Sequence, residues 1–281
     1  MNKIIYQNDQ QIYAATTMRD PALPEANNMA LHVCINPIDV LQNRKKLAEE
    51  IQLPLENWAL PWQKHTANIA RVTKEDQGKG AFDAASSLLN IDAVYTTEPN
   101  VLIGVFTADC VGLLLVDEST PCIAAIHSGW KGTVQAITDK TVTELIDKGL
   151  LHPETAKAYF SPSLLYSTLE VGMEVVEQLK ANQIDMTDCL RLMPNDKAFI
   201  DNQGMNIRML QKHGITQIYP SQYDTKPNAC CFSYRRDGKR PENTSPLDLS
   251  KKDCQNKFFH AITSAYIRKG GLQNEKKKSI C

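Results

Sequence analysis

TADCVGLLLVDESTPCIAAIHSGWKGT, residues 107–133, is the stretch whose reading decides the fold. Residues 111–116 and 122–126 are continuous apolar runs, and Asp117-Glu118-Ser119-Thr120-Pro121 between them is a cluster of turn formers. Two such runs around a turn predict an antiparallel hairpin. Counting outward sets Val116 against Cys122 and Val111 against His127, leaving Cys110 at the open end beside His127. Opposed side chains on one sheet face have Cβ atoms about 4.5–5.5 Å apart, so a thiol and an imidazole there can share a metal or a proton. A glycine-containing loop, Ser128-Gly129-Trp130-Lys131-Gly132, follows. A helix is expected from about Thr133, with Val134, Ile137, Thr141, Val142 and Leu145 on one face and Gly149 as its stop. Such a loop entering a helix N-terminus beside Lys131 suits an anion. The same residues equally suit a buried hairpin with a satisfied Cys and His and an ordinary capped helix.

Working outward, the 281 residues are 42% hydrophobic, enough for a substantial core. A formal net charge of -1 gives no global attraction to nucleic acid or to a membrane surface. The sequence lacks the run of about 18 apolar residues that a spanning helix needs. The opening MNKIIYQNDQQIYAATT is too polar for a signal peptide, so the expected location is cytoplasmic. The eight cysteines show no repeated spacing, and Cys230-Cys231 are adjacent, which favours reduced thiols.

Short alternating segments near residues 4–6, 12–14 and 30–33 predict strands, and His32 is wedged among apolar neighbours. Asn36-Pro37 opens a helix at about Ile38 that Leu53-Pro54 closes, with Arg44 on it as a solvated-face residue. Residues 58–72 read as broken strand, with His65 where it meets polar residues. Further strands are expected at 91–95, 102–106, 156–160, 215–219 and 230–234, and helices at 171–179 and 205–213. This irregular alternation predicts an α+β fold: a mixed-sheet α/β sandwich, one domain over residues 1–249 with the hairpin at its centre. Residues 250–281 are basic, and Phe258, Phe259, Ile262, Tyr266 and Ile267 can share a helix face, so a basic C-terminal helical tail is expected. No P-loop, dinucleotide fingerprint or zinc-ribbon spacing occurs.

Several blocks combine in order: 28–33 (NMALHV), Asn43-Arg44, Gln63-Lys64-His65, 107–110 (TADC), 127–133 (HSGWKGT), Glu170-Val171-Gly172 and 233–238 (SYRRDG). Over residues 25–240 the chain resembles the laccase-domain family, once called multicopper polyphenol oxidases. Its members are described as purine nucleoside phosphorylases with adenosine deaminase activity, and one branch is known as the peptidoglycan editing factor. The resemblance implies a metal, zinc with copper as the alternative, held by His65, Cys110 and His127. Three N/S ligands with a fourth position open is the pattern of a catalytic zinc site. The resemblance also implies phosphorolysis of adenosine, inosine and methylthioadenosine, and deamination of adenosine, by a cytoplasmic monomer or homodimer that takes a nucleoside and phosphate.

Within that reading Cys110, His127 and Asp109 are the catalytic candidates. Asp109 is there for proton transfer or for orienting a ligand, and its bland alternative is a strand-end hydrogen bond. Lys131 with the 128–132 loop, and Arg44, are assigned to the phosphate, while Asn28 either binds substrate or caps a turn. Three rivals stand beside it. A metal-free Cys-His hydrolase or amidase, acting on a peptidoglycan precursor or a protein, would use Cys110 as nucleophile and His127 as base. A copper polyphenol oxidase needs more histidine ligands than six scattered ones offer. The third is a non-enzymatic binding module acting through the basic tail.

Overall fold

Residues 1–238 and 260–269 of the computed structural model are described. Sixteen strands and six α-helices lie among them. The strands are β1 (Lys3–Asn8), β2 (Ile12–Thr17), β3 (Trp58–Ala59), β4 (Pro61–Trp62), β5 (Ile69–Arg71), β6 (Leu88–Leu89), β7 (Ala93–Thr96) and β8 (Leu102–Thr107). After them come β9 (Val111–Asp117), β10 (Cys122–Ser128), β11 (Lys157–Phe160), β12 (Glu170–Gly172), β13 (Leu190–Met193), β14 (Lys197–Ile200), β15 (Gln217–Tyr219) and β16 (Ala261–Ile267). The helices are α1 (Pro37–Ile51), α2 (Trp130–Val134), α3 (Ile137–Asp147), α4 (Met173–Ala181), α5 (Asn202–Lys212) and α6 (Tyr234–Asp237).

Two mixed sheets pack face to face, one ordered β1-β2-β16-β8-β3 and the other β15-β11-β9-β10-β7-β5. Ile12, Ile103, Val105 and Ala265 of the first meet Val94, Leu114, Val116 and Ile123 of the second in a shared core. The outer face of the second sheet is covered by α3 and α5 through Leu113, Leu115, Ile137, Val142 and Leu210. α1 covers the outer face of the first through Leu47, Ile51, Phe106 and Ile262. β9 is thus buried on both faces, which is why its sequence is a continuous apolar run rather than an alternating one. The α+β sandwich expected from the sequence is the observed fold, with the hairpin at its centre.

The structure corrects the hairpin register by one residue. Cys122 pairs with Asp117, Ile123 with Val116, His127 with Gly112 and Ser128 with Val111. Asp117 joins the ladder because its buried carboxylate accepts from the Ser119 N–H and hydroxyl, the His152 N–H and the Thr155 hydroxyl, leaving only four residues to turn. The helix expected from Thr133 begins at Trp130 and is broken at Ala136, which takes a left-handed φ of 55° before α3 starts. Residues 31–33 form a 3₁₀ turn rather than a strand. Residues 230–234 are likewise not a strand: Ser233 caps α6, its side chain accepting from the Arg236 N–H.

The helical reading of the basic tail is overturned where the chain is described. Residues 261–267 are β16, which sits between β2 and β8 and pairs antiparallel with both. β-Branched Ile262, Thr263 and Ile267 with small Ala261, Ser264 and Ala265 fit a flat, doubly buried central strand. The boundary at 249/250, with Phe258 and Phe259, lies outside the described residues. α1 forms as expected: Asn36 caps it, its side chain accepting from the Ile38 N–H, Pro37 is its first residue, and Gln52 ends it in the left-handed region.

Candidate active site

β8 and β9 belong to different sheets, so residues 108–110 must turn the chain from one to the other. Asp109 does this at a left-handed φ of 90°, rare for a residue with a side chain. It is pinned on three sides: its carbonyl accepts from the Leu164 N–H at 2.9 Å, and its carboxylate accepts from the Thr225 hydroxyl and the Arg235 N–H. The turn presents Cys110 at the open end of the hairpin. Because Ser128 pairs with Val111, the residue across from Cys110 is Gly129. A Cβ there would lie 2.7 Å from Cys110 Sγ and 3.3 Å from His65 Cδ2, so only glycine leaves room for the thiol and imidazole.

His65 comes from the loop after β4, also in the left-handed region with φ 59°. Buried Asp92, just before β7, fixes that loop. Its carboxylate accepts from the backbone N–H groups of Lys64, His65 and Thr66 at 3.1, 3.0 and 2.8 Å and from the Thr66 hydroxyl at 2.8 Å. The same carboxylate lies 2.8 Å from Nδ1 of buried His127. That bond assigns the proton to Nδ1 and leaves Nε2 for the cavity. Asp92 therefore orients both histidines. Sequence reasoning passed it by because one acid at a strand start reads as loop, and its five donors come from elsewhere in the chain.

The His65, Cys110 and His127 ligand atoms all lie within 4.8 Å of one another, with Cys110 Sγ 3.9 Å from His65 Nε2. The two imidazoles meet edge to face, centroids 4.9 Å apart. Burial pushes the Cys110 thiol up, but the His127 and His65 imidazoles outweigh it and hold it at about 6. Burial pulls His127 down, but Cys110 and Asp92 outweigh it and raise the imidazole to about 9. The thiol and His127 are coupled, each lowering the cost of charging the other. The donor set fits an ion: one thiol and two imidazoles, clustered this closely, are the sulfur and nitrogen donors that zinc takes. Cu(I) accepts the same soft donors.

Above these three residues lies a cavity of about 510 Å³, within the roughly 300–1,000 Å³ of small-molecule sites. One wall is aromatic. His32 stacks on Trp62 at 5.9 Å, meets Phe106 edge-on at 5.6 Å and lies 5.7 Å from the His260 ring. Burial, with the charges of Arg44, Lys64 and His127, pulls the His32 imidazole down to about 4, so this ring is neutral near pH 7. Lys131 and Arg235 line the same cavity, together with Trp130 and Tyr234.

The structure brings His65, Cys110, His127, Asp109 and Lys131 to the cavity and does not bring Arg44 or Asn28 there. Arg44 is buried beneath Phe106, donating to the carbonyls of Met29, Gly80 and Ala81. Asn28 is buried too, and its side-chain oxygen accepts from the Ala30 and His260 N–H groups. α2 is too short to act as the anion-binding helix that the glycine loop suggested. Arg235, His32, His260 and Asn202 line the cavity without having been assigned a role from sequence.

A two-sheet sandwich with a His-Cys-His group at its hairpin end defines the class. The chain belongs to the multi-copper polyphenol oxidoreductase laccase family, whose model matches residues 16–244. It is similar to the purine nucleoside phosphorylase YlmD of Geobacillus stearothermophilus, with 33% identity over 215 residues that cover 75% of this chain and 78% of the relative. It is similar to the purine nucleoside phosphorylase YlmD of Bacillus subtilis as well, with 29% identity over 238 residues covering 82% and 86%. The crystal structure of YlmD from Geobacillus stearothermophilus matches with a TM-score of 0.81 at 26% identity, covering 95% of this chain and 100% of that one. A hypothetical protein YfiH of Bacillus licheniformis shares the fold, with a TM-score of 0.80 at 23% identity over 92% and 93%. Among the described residues, no helix is long and apolar enough to cross a membrane.

Proposed function

We propose that this protein is a zinc-dependent purine nucleoside phosphorylase acting on adenosine, inosine and methylthioadenosine, with hydrolytic deamination of adenosine to inosine as a second activity. The observation that carries the reading is the cavity itself: the His65–Cys110–His127 group shares it with the aromatic rings of His32, Phe106 and His260 and with cationic Lys131 and Arg235. Family membership and the names of the similar proteins support it. His65, Cys110 and His127 would hold the ion, which when bound supplies Lewis-acid polarisation at the floor and keeps the thiol ionised.

The chain's own residues divide the remaining work. The purine packs on His32, Phe106 and His260, where a neutral ring stacks without attracting the phosphate. Lys131 and Arg235 hold hydrogen phosphate in the same cavity. A phosphate oxygen bonds C1′ as the C1′–N9 bond breaks, and the hydrogen-phosphate proton ends on the departing purine. Asp109 is a positioning residue: both its oxygens accept from fixed donors, so it holds the turn of Cys110 and the backbone of Arg235.

Purified protein supplied with adenosine is expected to release adenine only when phosphate is present, and Cys110→Ala to fall to background while staying folded. Inosine formed without phosphate would make deamination the main activity. The closeness of Cys110 to His127 favours one other reading, a metal-free cysteine hydrolase. Substoichiometric zinc, with activity that survives chelation and is lost on thiol alkylation, would establish that reading instead.

A further inference from the structure

Strand pairing along the β3 side of β8 stops short of the cavity. β3 pairs with β8 at Leu102 and Ile103, and the chain then leaves to pair β4 with β6. Phe106, further along β8, takes its partner from a side chain instead. Gln63 Nε2 donates to the Phe106 carbonyl at 2.9 Å, and Gln63 Oε1 accepts from the Phe106 N–H at 2.8 Å. A side-chain amide offers the same donor and acceptor as a peptide group, so Gln63 stands in for one residue of a neighbouring strand. Gln63 and Phe106 both line the cavity, at 9% and 3% exposure. His65 follows in the same segment, yet a different group fixes it: the Asp92 carboxylate holds the N–H groups of residues 64–66. One fastener thus serves the loop of the metal-ligand candidate, and the other serves Phe106.

We infer, on the nucleoside reading above, that Gln63 is a positioning residue that acts through Phe106: its amide sets where the end of β8 holds the ring against which the purine packs. Removing the amide leaves two buried backbone groups unpaired, and they recover partners only if the strand end shifts or water enters. Either change moves a ring that is fitted over Arg44 at 5.4 Å and against His32 at 5.6 Å. The base then binds less well, while the Asp92-held loop keeps its place.

Gln63→Met keeps the length of the side chain and removes both hydrogen bonds. Phosphorolysis is measured with adenosine and phosphate varied separately, alongside zinc content. The variant is expected to raise KM for adenosine about 10-fold, with KM for phosphate, kcat and zinc stoichiometry changed by less than about twofold. Phe106→Leu is expected to raise the same KM, and Gln63→Met added to it to raise it no further, because the ring that the amide places is gone. A kcat that falls as both KM values rise, an adenosine KM that does not move, or additive effects in the double variant would each overturn the inference. Should Gln63→Met not fold, Gln63→Asn, which shortens the reach of the amide, is held to the same criteria. If neither folds, the amide is a folding element and the inference is overturned. A wild type that turns over no nucleoside fails the phosphorylase reading and takes this inference with it, whereas an active wild type with any of the overturning results fails the inference alone.

Discussion

Two of the buried charged side chains among the described residues, Arg44 and Asp92, serve opposite ends. Arg44 and Asp92 are each sealed from solvent and each bonded several times over. The Arg44 guanidinium hydrogen-bonds to the backbone carbonyls of Met29, Gly80 and Ala81, groups that do not titrate and that belong to loops it ties together. Asp92 also binds backbone, at residues 64–66, but its last partner is His127, a titratable ring at the floor of an open cavity. A buried charge that ends on carbonyls is a brace. One that ends on an imidazole facing a cavity extends the site behind its ligands.

The most severe break in the comparison is Arg44→Met. It strands three buried carbonyls and should lower folding stability by about 3–5 kcal/mol, read by chemical denaturation. Whatever protein remains folded should bind zinc as the wild type does, because Arg44 bonds to none of His65, Cys110 and His127. Asp92→Asn should do the reverse, weakening zinc binding about 10- to 100-fold in a chelator competition while the fold survives. Equal damage to both properties by both variants would erase the distinction.

The smallest effect sharpens the boundary, since the two regions meet at Phe106, with Arg44 beneath it and His32 at its edge. Burial and then Arg44 depress the His32 imidazole to about 4. A group depressed in the folded state contributes stability that is present above its unfolded value near 6.5 and lost as the pH falls towards 4. Stability should therefore fall by about 1–2 kcal/mol across that window, and His32→Phe should flatten this part of the profile in denaturation curves.

Local signals were the legible ones. The apolar runs of β9 and β10 announced the hairpin, yet the register slipped by one because Asp117 is held in the ladder by His152 and Thr155, residues far along the chain. Asn36-Pro37 announced α1. Counting set Cys110 beside His127 at the open end of the hairpin, though in a register one residue off, whereas His65 needed the family resemblance, since nothing in its neighbours marks it. Arg44 looked like a solvated or phosphate-binding residue because its carbonyl partners are set by the tertiary fold. β16 was misread for a related reason: lysines around it suggested an amphipathic face, and only pairing with β2 and β8 shows a buried strand.

That strand sets the timetable of assembly. Thr263 bonds Thr16 across a separation of 247 residues. At roughly 5–20 residues per second on a ribosome, the edges of β2 and β8 wait on the order of 10–50 s for the strand that joins them. Open edges of that kind invite pairing with other chains, so the nascent protein should lean on chaperones until its C-terminal strand emerges. His260, which directly precedes β16, completes the cavity wall at the same moment, so a truncated chain has no finished site to misuse.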